Sequence, residues 1–151
     1  MSTMSATPET LHDLLAGSSE LTDLLEIAPG TLDAPAIYDT QAPENARLPY
    51  VIFQHQGGGP RLINPSPIEG NLWLVKAYSN QSAAQAAEIF DAFDTLLDKQ
   101  KLDIAGLKNY WVAREQNVKL HETAPNKQSI WMVGGIYRIE TDEEGGYYAS
   151  I

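Results

Sequence analysis

The spacing of apolar residues changes period along the chain, and each change marks an element. Leu11, Leu14 and Leu15 stand at i, i+3 and i+4, which is one face of a helix. Thr7-Pro8-Glu9 opens that helix, with Thr7 as N-cap, Pro8 at the first helical position and Glu9 at the positive end of the dipole. Gly17 ends it. Ser18 or Ser19 caps a second short helix over residues 20–25, with Leu21, Leu24 and Leu25 on its buried side, until Ala28-Pro29-Gly30 breaks it. The period then drops to two. Ile37-Tyr38 is a short extended piece, and residues 49–55 read as a strand with Pro49 at its start, where a missing N–H is harmless. A second strand, 71–78, sets Leu72, Leu74, Lys76 and Tyr78 on one face and Trp73, Val75 and Ala77 on the other.

The period returns to 3.6 over residues 81–98, where Ala83, Ala86, Ala87, Phe90, Phe93 and Leu97 form a stripe. Ser79 or Asn80 is the expected cap, and Lys99 and Lys101 complement the C-terminal dipole. Two further strands follow, at about 107–120 and 129–141, joined by a turn over 122–127. Between the earlier strands, residues 56–70 hold Gly57-Gly58-Gly59-Pro60, Pro65 and Pro67 and read as a long loop. The order α-α-β-β-β-α-β-β predicts an α+β fold, a mostly antiparallel sheet of four to five strands with helices packed on one face. At 151 residues, with no linker or repeat, a single domain over 1–151 is expected.

Charge adds a second pattern. The formal net charge is -10, from 20 Asp and Glu against 10 Lys and Arg. Residues 1–46 carry -8 with no Lys or Arg, residues 47–139 carry +2, and the acidic tail from 140 to 151 carries -4. A chain this acidic is a poor holder of phosphates, whose binding depends on Lys and Arg releasing counterions. Acidic ends on a near-neutral body serve either solubility or association between copies. No signal peptide or membrane span is legible, so a soluble, intracellular origin is the expectation.

Motifs of chemistry are sparse. With no cysteine, thiol catalysis, disulfides and Cys-ligated metals are excluded. His12, His55 and His121 show no metal-ligand spacing, and Ser66, Ser79, Ser82 and Ser129 lack the G-x-S-x-G context of an exposed nucleophile. The Gly57–Gly59 run is not a phosphate loop, since no GK[ST] follows and Pro60 removes an N–H. A turn is its expected role. Trp73, Trp111 and Trp131 lie within alternating strands and belong to core or interface. No catalytic, cofactor or metal site is assigned, and the expected role is not enzymatic. One constellation stands out. Glu88, Asp91, Asp94 and Asp98 recur at helical spacing opposite the Phe90/Phe93/Leu97 stripe, where like charges cost a few tenths of a kcal/mol per pair. They form either an ordinary solvated face or a repulsive surface.

Several of these segments, in this order, resemble the tail-completion (tail-terminator) proteins of long-tailed bacteriophages. They are the helix with Leu11, Leu14 and Leu15, the 21–25 segment, Ile37-Tyr38-Asp39 with Ala42-Pro43-Glu44, and Leu48-Pro49-Tyr50-Val51-Ile52. Leu74-Val75-Lys76-Ala77-Tyr78-Ser79 then leads into the helix that ends at Leu96-Leu97. Together they span about residues 10–140. The loop 56–70 and the acidic tail fall outside the pattern. The resemblance implies a structural protein of the virion, assembled in the host cytoplasm and located at the tail-neck region. It would form a homo-oligomer, a hexameric ring that caps the tail tube, ends tail polymerisation and joins the tail to the head-side connector. Its partners would be the tail tube protein and the connector protein, with DNA passing through the channel without specific binding.

In such a ring Glu88, Asp91, Asp94 and Asp98 are the candidate channel-facing surface, repelling DNA by sign. A ring of head-to-tail copies needs two complementary patches, which the acidic N-terminal segment and the mildly basic body supply. Arg61, Leu62, Ile63 and Ile68 in the loop, with Tyr147, Tyr148 and Ile151 at the end, are the candidate inter-subunit or partner contacts. Three other readings stay open: a head–tail connector or neck protein of the same virion, a small ligand-binding or enzymatic domain using His55 or His121, and an acidic DNA mimic.

Overall fold

The computed structural model describes residues 3–60, 69–104, 107–123 and 125–143. Its elements in chain order are α1 (Thr3–Ala16), α2 (Ser19–Thr22), β1 (Ile37–Asp39), β2 (Tyr50–Pro60), β3 (Glu69–Ser79), α3 (Ala83–Leu97), β4 (Leu107–Thr123) and β5 (Ser129–Glu143). The five strands form one sheet in the order β1-β2-β3-β5-β4. Every pairing is antiparallel except β1 with β2, which runs parallel and covers only Ile37–Asp39 against Val51–Phe53. The expected α+β architecture is therefore the observed one.

Alternation decides which face of the sheet is covered. Val51 and Phe53 of β2, Trp73, Val75 and Ala77 of β3, and Tyr137 and Ile139 of β5 are buried. They form one cluster with Leu11 and Leu15 of α1, Leu21 of α2, and Ile89, Phe93 and Leu97 of α3. Each fully buried large apolar side chain of that kind contributes about 1.5–3 kcal/mol. Of the two β3 faces, Trp73/Val75/Ala77 is the one turned to the helices. On the opposite face Tyr50 packs T-shaped against Tyr38 and tilted against Tyr78, with ring centroids 5.7 and 5.3 Å apart. Lys76 lies 5.5 Å from the Tyr78 ring on that face.

Element ends depart from expectation in instructive ways. Helix α1 starts at Thr3, so Thr7 does not cap it and Pro8 lies inside it. The additional N-terminal turn brings Ala6 and Thr7 into the buried layer, at 3% and 0% exposure, and that burial sustains helix upstream of the proline. Helix α2 is a single turn, and Leu24 and Leu25 pack on the core from the turns that follow it. Helix α3 is capped by Ser82, whose Oγ accepts from Gln85 N at 3.0 Å, and not by Ser79 or Asn80. Ser79 Oγ instead accepts from Gln81 N at 3.1 Å and bonds the Gln85 side chain, bracing the entry to the helix.

The 56–70 loop is corrected at its two ends, and residues 61–68 between them lie outside the described residues. Strand β2 continues through Pro60 and β3 begins at Glu69, with Gly57 to Pro60 paired to Leu72 through Glu69. A bulge between His55 and Gly57 absorbs Gln56, and Gly58 sits at φ 107. A Cβ on Gly58 would overlap the Gly70 carbonyl oxygen and come within 2.8 Å of Asn71 Cα. The glycine run thus serves close strand pairing, not a turn. The acidic tail is corrected at its start, since Glu140 and Asp142 belong to β5 and Asp142 is buried, while residues 144–151 lie outside the described residues.

Candidate functional site

The acidic helix face is built by α3 and answered by the sheet. Glu88 and Asp91 are exposed. Asp94 and Asp98 are half-buried, because they lie at the flank of the helix nearest β4 and β5. Asp94 accepts from Arg114 Nη1 at 2.6 Å through one oxygen and from Tyr137 OH at 2.7 Å through the other. Asp98 accepts from the Arg114 backbone N–H at 3.0 Å. The guanidinium of Arg114 also lies 5.6 Å from the Phe90 ring. Its pKa is raised, chiefly by the hydrogen bond to Asp94. The Tyr137 phenol is held above its ordinary value, first by burial and then by the adjacent Asp94 carboxylate.

The four carboxylates therefore do not share one solvated surface. Two fasten the helix to the sheet, and Glu88 and Asp91 remain presented to solvent. Sequence reading missed this lock. Its signal was present in the strand alternation, which puts Arg114 on the same side as buried Val112 and directly opposite Tyr137 in the β4–β5 register. The seven expected contact residues, Arg61, Leu62, Ile63, Ile68, Tyr147, Tyr148 and Ile151, lie outside the described residues.

Beyond α3 the chain returns along β4. Lys99 N donates to Val112 O at 2.8 Å and Val112 N donates to Gln100 O at 2.9 Å. Asn109 accepts from Leu102 N at 2.7 Å and donates to Glu140 O at 2.9 Å, tying the same segment down. This segment covers the inner part of the β4 edge. From Gln116 to Thr123 β4 continues as the outer arm of the β4–β5 hairpin, with mostly exposed residues, and β5 is held between this arm and β3 as far as Trp131. Glu122 and Thr123, expected in the turn at 122–127, belong instead to β4 and pair with Ile130 and Ser129. On the arm His121 stacks on Trp131 at 5.2 Å.

No protein-family model matches the sequence, and no curated protein does either. Among solved structures, a chain in the virion of a native gene transfer agent (GTA) particle superimposes with a TM-score of 0.70 at 13% identity. The match covers 92% of this chain and 96% of the other. The two chains share one fold.

Within this fold the remaining polar groups have local roles. His55 Nε2 lies 2.9 Å from Asn71 Oδ1 and its ring packs 5.3 Å from Trp73. His12 is exposed beside Asp13. Among the described residues no three His, Cys, Asp or Glu side chains come together as a metal site. A cleft of about 610 Å³ lies between α1 and the end of α3, bordered by Thr10, Leu14, Leu96 and Leu102. Its charged rim, Asp13, Lys101 and Asp103, contains no histidine. A smaller hollow of about 250 Å³ beside the arm includes His121 and Trp131.

Proposed function

We propose that this chain is a structural virion protein that forms a ring on the tail tube of a phage or phage-like particle. The ring ends tail polymerisation and joins the tail to the head-side connector. The observation that carries this reading is the fold shared over nearly the whole of both chains with a component of a gene transfer agent virion. The order of sequence segments resembling tail-terminator proteins supports the capping role within that class. The role is one of assembly and not catalysis, with the tail tube protein, the connector protein and further copies of this chain as partners.

DNA passes through the ring without specific binding. Glu88 and Asp91 are the two members of the acidic helix set whose carboxylates are free to line a channel. Among the described residues neither makes an ion pair. Electron microscopy of particles carrying a small tag on this chain tests the proposal. Density for a ring at the head-proximal end of the tail tube is the expected result. Tag density within the connector itself assigns the neighbouring neck role. Particles that assemble complete tails of normal length without this chain overturn both.

A further inference from the structure

Residues 27–35 form a short loop held in one shape. Ile27 and Pro35 make an antiparallel bridge, Ala28 N donates to Ala34 O at 2.8 Å, and Thr31 Oγ1 donates to Ala28 O at 2.7 Å. Gly30 supplies the left-handed position, at φ 77. The tip of this braced loop presents Leu32, which is 96% exposed. Three large apolar residues stand out as exposed among the described residues: Ile27 and Leu32 on this loop, and Leu120 on the hairpin arm.

Leu120 borders the hollow of about 250 Å³ beside the arm, together with Ala83, Lys119, His121, Trp131 and Met132. The hollow is smaller than the roughly 300–1,000 Å³ of small-molecule sites and is of the scale that takes one apolar side chain. Charge distinguishes the two places. Asp33 follows Leu32 and Glu26 stands at the base of the loop, outnumbering the neighbouring Arg47. Lys119 and His121 are exposed at the hollow, with Glu122 next along the strand.

Their positions in the sheet are also complementary. Ile37, Val51, Ala77, Val133 and Lys119 form one row across all five strands. The loop leads into β1 at one end of that row, and the hollow lies beside β4 at the other. Four strand spacings, about 19 Å, separate the two edges. We propose that Leu32 of one copy seats in the Lys119/His121/Trp131 hollow of the next, with Asp33 beside Lys119. A projection and a socket on opposite edges make a head-to-tail contact, which closes into a ring when the rotation per copy allows. The proposal rests on the ring reading above and names the surface that would build the ring.

The absence of cysteine from the sequence makes a direct test available. A Leu32→Cys/His121→Cys variant, oxidised in the presence of tail tubes, is run under denaturing conditions beside each single variant. Both positions are exposed, and circular dichroism checks that the variants fold. A covalent ladder in the double variant, ending at the ring size, is expected, with no species beyond a dimer in either single variant. Leu32→Asp is expected to weaken association about 30-fold or more, as loss of a seated anchor does. Two results overturn the contact while leaving the ring standing: rings in the wild type with no ladder in the double variant, and Leu32→Asp rings of normal affinity. A wild-type chain that stays monomeric with tubes present overturns both the contact and the ring.

Discussion

At the scale of single residues, Tyr137 is a tightly constrained titratable group. Its side chain is fully buried, and its hydroxyl donates to a carboxylate that also holds Arg114. Burial and the Asp94 charge both oppose phenolate formation, and the nearby Arg114 guanidinium only partly offsets them. The sign follows directly. A folded-state pKa above the unfolded value of about 10 leaves the stabilisation intact below pH 10, and stability is lost as pH rises beyond it. Each proton retained by the folded state alone contributes a slope of about 1.4 kcal/mol per pH unit. Tyr38, Tyr50 and Tyr78 are raised by burial too, so the wild-type slope is a composite. The difference between Tyr137→Phe and wild type isolates one group. Urea unfolding between pH 9 and 11.5 is expected to show a shallower alkaline loss in the variant, by up to that one-proton slope. Parallel curves for the two proteins would mean that Tyr137 ionises freely in the fold.

At the scale of elements, the β2–β3 pairing depends on a glycine that a loop would not need. Gly58 combines a left-handed φ with a backbone contact too close for any Cβ, whereas a Cβ on Gly57 meets nothing within 4 Å. Gly58→Ala is therefore expected to cost about 2 kcal/mol or more, and Gly57→Ala less than about 1 kcal/mol. Chemical denaturation of both variants checks this, and equal losses would remove the distinction. The same pair shows what was legible in the sequence. Period and order were: the Leu11/Leu15 face, the Trp73/Val75/Ala77 face and the Phe93/Leu97 stripe are local patterns, and each found its place. Gly57-Gly58-Gly59-Pro60 was read as a break because local propensity is all that four such residues carry, while the partner strand that accommodates them is set by pairing with residues 69–72. Asp94 and Asp98 were read as solvated for a similar reason. Their partner, Arg114, lies 20 and 16 residues away, on a strand brought to the helix only by folding. The exposed tip at Leu32, in contrast, leaves no periodic trace at all.

At the scale of the whole molecule, charge acts against assembly and contacts act for it. Two copies of net charge -10 with centres about 40 Å apart repel by on the order of 10 kcal/mol in unscreened water. A single close pair such as Asp33 with Lys119 returns only about 1 kcal/mol at 4 Å in the same medium. Salt weakens both, but unequally. At 0.01 M the Debye length of about 30 Å is comparable with the separation of copies and leaves much of the repulsion in place. At 0.15 M it is about 8 Å, short against the intercopy distance yet longer than the pair contact. The apolar seat of Leu32 is indifferent to that change. Ring formation is therefore expected to strengthen as ionic strength rises from about 0.01 to 0.15 M and to level off above it. Lys119→Glu, which removes the local attraction and adds charge of the repelling sign, is expected to shift the whole curve toward higher salt. Sedimentation velocity across the salt series reads both effects. Assembly that weakens steadily with salt from the lowest concentration would instead mean that paired charges, and not buried apolar contacts, hold the copies together.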